Sequence, residues 1–146
     1  MSLTQIIGKV FVPRQHALEK HQNGGEALQR AVLEHLIQKA KDTEYGRNHA
    51  FDSIKGYDDY VGCVPVNTYE ELKGDIDRMR QGETDILWPG RTKWYAKSSG
   101  TTNDKSKFIP VTQGGLHDIH YAGGFASVAL YLRNNPKSTL FDGRAV

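Results

Sequence analysis

The sequence predicts a mixed α/β fold, α+β in layout, with helices leading and a β-hairpin, one more helix and a strand following. Three observations predict it. Apolar residues recur three or four apart from about Glu26 to Lys41, the spacing that lines one face of a helix. Thr68 and Glu71 have the spacing of a capping box ahead of a second helical run. Lys93–Ala96 and Phe108–Val111 read as strands, and a serine- and threonine-rich loop lies between them.

The elements follow in order. Thr4 can cap a short first helix with Ile6, Ile7, Val10 and Phe11 on its face. Asn23-Gly24-Gly25 breaks the chain before the long helix, whose apolar positions are Leu28, Ala31, Val32, Leu36, Ile37 and Ala40. Asp42 to Asp52 is polar and loop-like, with Tyr45-Gly46 as a turn, and a short element follows around Tyr57 to Val61. Pro65 keeps Val64 extended. The helix begun at Thr68 buries Tyr69, Leu72, Ile76 and Met79, and Gly82 ends it. Trp88-Pro89-Gly90 is a turn into the hairpin. Beyond the hairpin, Thr112 caps a helix over about Gln113–Arg133, with Leu116, Ile119, Gly123, Ala126, Leu130 and Tyr131 as its inner stripe. Asn134-Asn135-Pro136 stops it, and Thr139-Leu140-Phe141 opens a strand. A fresh strand with only five residues after it reads as an unfinished domain; an edge strand closing a small sheet is the other reading.

The 146 residues suit one domain with a real core. A net charge of +2, with no long basic block, gives no ground for nucleic-acid binding. No stretch approaches the roughly 20 apolar residues of a membrane span. The single cysteine, Cys63, excludes an internal disulfide and fits a cytoplasmic setting.

The loop carries the chemistry. Successive backbone N–H groups in a tight turn form an anion-binding nest. Gly100 permits close approach, Ser98, Ser99, Thr101 and Thr102 add hydroxyl donors, and Lys97, Lys105 and Lys107 add charge. The Walker A spacing is absent, and a strand follows the loop where Walker A opens a helix. On composition alone a phosphate clamp and an ordinary exposed hairpin loop both remain open.

Ser98-Ser99-Gly100-Thr101-Thr102, followed by Lys105-Ser106-Lys107-Phe108-Ile109-Pro110, resembles the phosphate-loop signature of the adenylate-forming superfamily. More narrowly, it resembles the auxin-responsive acyl-acid–amido synthetase family (Gretchen Hagen three) and its bacterial relatives. Ala40–Gly46, Val64-Pro65-Val66 with Tyr69–Leu72, Gly82-Glu83 leading to Leu87–Gly90, and Leu140–Gly143 resemble further landmarks of that family in the same order. The chain departs from the family at Asp104, where glycine is common.

The resemblance implies that residues 1–146 are the N-terminal part of an adenylate-forming enzyme's large domain, with a helical region over about 1–85 and the loop hairpin, helix and strand over about 86–146. It implies ATP and Mg2+, a carboxylic acid activated as its acyl-adenylate, and transfer to an amine such as an amino acid, or to coenzyme A. Ser98, Ser99, Thr101 and Thr102 would hold the β- and γ-phosphates, Gly100 would allow the approach, and Lys107 would offset charge. No catalytic residue and no metal ligand is assigned. The resemblance also implies a fragment, inactive alone, that self-associates through an exposed strand edge. A non-catalytic nucleotide- or phosphate-binding remnant and a plain interaction domain are the other classes.

Other residues have plainer readings. His117 and His120 read as a solvated or pocket-lining face rather than a metal site, and His16 and His21 as surface. Cys63 reads as a buried structural thiol. Trp88, Trp94 and Tyr95 read as packing around the hairpin. Glu70, Glu71, Asp75 and Asp77 suit the first half of their helix and a solvated face.

Overall fold

The computed structural model describes residues 2–14, 24–98 and 106–143. They are helix-rich and carry one two-stranded sheet, in keeping with the mixed class that the sequence predicts. The chain divides into two compact units, residues 1–25 with 114–146, and residues 26–113.

The 26–113 unit is built around Ile37, Ala40, Phe51 and Ile54. Helix α2 spans Gly25–Ala40. Only its last two turns reach this core, so Leu28, Val32 and Leu36 remain exposed although their spacing predicts an inward face. Residues 42–52 are not a loop. Thr43 caps a five-residue helix, α3, over Glu44–Asn48. Its first N–H groups are also held from outside, since Glu44 N–H donates to Asp85 O (2.7 Å) and Tyr45 N–H to Ile86 O (3.0 Å). Gly46 is not a turn residue. It lies buried in α3, where a Cβ would overlap the Ala40 carbonyl and come within 2.9 Å of Lys41 Cα. Tyr45 stacks on His49 and meets Phe51 edge-on.

Helix α4, Tyr57–Cys63, and partly buried Cys63, Val64 and Trp88 pack against the same cluster. Helix α5, Tyr69–Arg80, starts with the predicted capping box. Glu71 N–H donates to Thr68 Oγ1 (3.4 Å), and Thr68 N–H donates back to Glu71 Oε2 (2.6 Å). The helix buries Ile76 and Met79, and Gly82 follows with φ +104°. Arg78 joins three segments, reaching both carboxylate oxygens of Glu44 (2.9 and 2.8 Å), Glu83 (3.0 Å) and Asp75 (3.2 Å). Strands β1, Trp94–Lys97, and β2, Phe108–Val111, pair antiparallel with Trp94 opposite Val111 and Lys97 opposite Phe108. Trp94 is 48% exposed and so does not pack inside the hairpin.

In the other unit, helix α1 spans Leu3–Phe11. Its cap is Ser2, whose side chain accepts from Gln5 N–H, and not Thr4. Thr4 is buried because it has a distant partner. Its N–H donates to Asp142 Oδ1 (3.0 Å) and its Oγ1 accepts from Phe141 N–H (2.9 Å). That anchorage makes residues 139–142 a turn, closed by Asp142 N–H to Thr139 O (2.9 Å), where the sequence predicts a strand. A π-helical segment, Gly115–Tyr121, runs into helix α6, Ala122–Asn134. The wider π turn inserts a residue and rotates the helix after it by about 100°. The buried positions are accordingly Ala129 and Leu132, while Ile119, Leu130 and Tyr131 of the predicted stripe are exposed. Phe11 stacks on Phe125 at 4.9 Å.

Candidate functional site

The loop sequence is carried between β1 and β2. Of its assigned residues, Ser98 and Lys107 are described, while Ser99, Gly100, Thr101 and Thr102, with Asp104, lie outside the described residues. Ser98 N–H donates to Lys107 O (3.0 Å), and Lys107 N–H donates to Ser98 Oγ (3.1 Å). These two bonds extend the ladder one step past Lys97–Phe108 and hold both ends of the signature together.

Helix α5 supports that mouth. The Tyr69 hydroxyl accepts from Phe108 N–H (3.0 Å), and the Lys107 ammonium lies 5.3 Å from the Tyr69 ring centroid. The Arg80 guanidinium lies 3.7 Å over the Phe108 ring and pairs with Asp77 (3.0 Å). Tyr69 holds this place because the capping box fixes where α5 begins. Tyr69 and Arg80 thus act as supports, although the sequence marks them only as helix residues. The local signal is their distance along α5, eleven positions or about three turns, which puts both on one face.

A second group of polar side chains lies on the same unit. Arg80, Arg91, Lys93 and Tyr95 share a cavity beside α5 and β1. No motif in the sequence marks this group. Its one signal is the occurrence of Arg91, Lys93 and Tyr95 at alternate positions leading into β1, a period that puts side chains on one face.

Among the described residues no group of three or more His, Cys, Asp and Glu side chains has the arrangement to hold a metal ion. His117 and His120 are exposed and make ring contacts with Tyr121. His16 and His21 lie outside the described residues. No described helix is long and apolar enough to cross a membrane.

Comparison with known proteins bears on this hairpin and the helices around it. The sequence profile of the GH3 family N-terminal domain matches residues 14–145. The indole-3-acetic acid-amido synthetase GH3.15 of Arabidopsis thaliana is 31% identical over 120 residues, 82% of this chain and 20% of that protein. The indole-3-acetic acid-amido synthetase GH3.5 of the same plant is 28% identical over 97 residues, 66% of this chain and 16% of that protein. The jasmonoyl–L-amino acid synthetase JAR4 of Nicotiana attenuata is 29% identical over 91 residues, 59% of this chain and 15% of that protein. A solved GH3.15 acyl acid amido synthetase superposes with a TM-score of 0.71 at 28% identity, covering 81% of this chain and 21% of that one. The chain spans 15–21% of the length of these relatives. With its fold and nearly its whole sequence matched, the chain belongs to the GH3 family and matches that family's N-terminal portion.

Proposed function

We propose that this chain supplies the ATP phosphate-binding loop of an adenylate-forming ligase, which activates a carboxylic acid and passes the acyl group to an amine such as an amino acid. The observation that carries the reading is the pairing of Ser98 with Lys107, which closes a signature of hydroxyls and lysines into one short hairpin mouth. Backbone and hydroxyl donors of 98–102 would hold the β- and γ-phosphates, and Lys107 would offset their charge. In the reaction the substrate carboxylate would attack the α-phosphate and pyrophosphate would leave, so the charge that such donors would offset grows on the departing phosphates. No general base is required, because a carboxylate is already ionised at neutral pH. Magnesium would arrive on the triphosphate, and no residue of the chain is assigned as its ligand. An amine acceptor is supported by the relatives' names, an indole-3-acetic acid-amido synthetase and a jasmonoyl–L-amino acid synthetase.

The 146-residue chain alone is expected to bind ATP without releasing pyrophosphate, since it matches no more than about a fifth of those relatives. Calorimetric titration with Mg–ATP tests the loop. Lys107→Ala is expected to weaken binding about tenfold, or ~1.4 kcal/mol, the size of one charge-assisted contact. Unchanged affinity in that variant rules out the loop as the phosphate site. Pyrophosphate release by the isolated chain refutes the expectation that it is catalytically incomplete.

A further inference from the structure

Between the end of α5 and the approach to β1, an open cavity of about 420 Å³ is lined by Met79, Arg80, Arg91, Thr92, Lys93 and Tyr95. Gly82 lies opposite Arg91, where even a Cβ would sit 3.4 Å from the guanidinium. Every charged group in this lining is cationic. Arg80 is fixed by Asp77 and by stacking on Phe108. Arg91 and Lys93 take part in no ion pair among the described residues.

The Tyr95 hydroxyl completes the pattern. Its oxygen is buried and has no hydrogen-bond partner among the described residues. A buried hydroxyl without a partner calls for an explanation, because folding removes its water without replacing it. Burial pushes the phenol pKa up, and the charges of Arg80 and Arg91 act against that rise. The group is therefore a protonated donor at neutral pH, set among guanidinium donors and lacking an acceptor.

We propose that this cavity binds a phosphate group at a site separate from the 98–107 loop, with Arg80, Arg91 and Tyr95 donating to one oxyanion and Lys93 adding charge. A carboxylate brings one negative charge and two oxygens in a plane. A phosphate brings nearly two charges and acceptors on several sides, which suits three cations and an O–H approaching from different elements. Arg91 and Lys93 precede β1, so they lie at the end of the hairpin away from Ser98.

The test titrates the 146-residue chain with inorganic phosphate, and separately with acetate, at low ionic strength. Saturable phosphate binding is expected, at least tenfold tighter than acetate. Arg91→Gln should weaken it tenfold or more and Tyr95→Phe threefold or more, each by the same factor in a Ser98→Ala background. Tyr95→Phe should melt at or above the parent temperature, because it removes an unpaired hydroxyl, so its loss of binding does not reflect unfolding. If Arg91→Gln fails to fold, Lys93→Gln provides the charge readout. Absence of binding, equal affinity for acetate, insensitivity to these variants, or an Arg91→Gln effect that vanishes in the Ser98→Ala background would each overturn the site. Competition by ATP that disappears in Arg91→Gln assigns the phosphate to a nucleotide, and lack of competition assigns it to the free ion; both support the site.

Discussion

Thr43 is 1% exposed, and its hydroxyl works in two directions. It donates to Ala40 O (2.7 Å) at the end of α2 and accepts from Gly46 N–H (2.9 Å) at the start of α3. One side chain therefore ends one helix and begins the next. Thr43→Val keeps the shape and removes both bonds, leaving the buried Gly46 N–H unpaired, while Ala40 O keeps the Thr43 N–H (3.0 Å). A loss of about 1–3 kcal/mol is expected in urea denaturation, with Thr43→Ser closer to the parent. A Val variant as stable as the parent would mean that water replaces the hydroxyl. At this scale the sequence is legible wherever the partner is local. Thr68 and Glu71 are three positions apart, and their reciprocal bonds form as that spacing predicts. Thr4 has the same chemistry, yet its partners stand at 141 and 142, so spacing alone favours a cap that Ser2 provides.

Helix α3 shows the same limit one level up. Five residues with a central glycine have weak helical preference, which is why the sequence reads as a loop there. The helix forms because the 85–86 carbonyls accept its first N–H groups and because Gly46 allows α2 to press against it. Gly46→Ala should raise helix propensity in isolation. Here it is expected to destabilise the protein by about 1–3 kcal/mol or more, because the added Cβ meets backbone that cannot swing aside. A thermal melt that rises in this variant would contradict the packing. Strands β1 and β2 are legible to within a residue, and with them the positions of Ser98 and Lys107. The α6 stripe is not, since its phase depends on the π turn at Gly115–Tyr121. The Arg91–Tyr95 group is not either, since it becomes a site only where Arg80 of α5 meets it.

At the scale of the whole molecule, several carboxylates among the described residues share one behaviour. The Thr4 N–H beside Asp142 holds its carboxyl below the ordinary value of 3.8. The Gly90 N–H does the same for Asp85, Arg78 for Glu44, and the Thr68 N–H for Glu71. In each case the charged form is favoured by folding. The stability they contribute is fully present above their unfolded values and is lost as pH falls through the lowered folded ones. The melting temperature is therefore expected to hold from about pH 7 to 5 and to fall below about pH 4. Combining Asp142→Asn with Asp85→Asn should flatten that fall. An acid limb equally steep in the double variant would assign it to other groups.

The bonds between Thr4 and the 141–142 turn carry one more consequence. They join positions 137 and 138 apart, whereas the core residues Ile37, Ala40, Phe51 and Ile54 all lie within one short stretch of chain. During synthesis, which runs from the N-terminus, residues 26–113 can assemble while the first helix still waits for its partners. Thr4 of Leu3–Phe11 cannot make its anchoring bonds until Asp142 has left the ribosome. The earliest part of this chain to be made is therefore among the last to find its place.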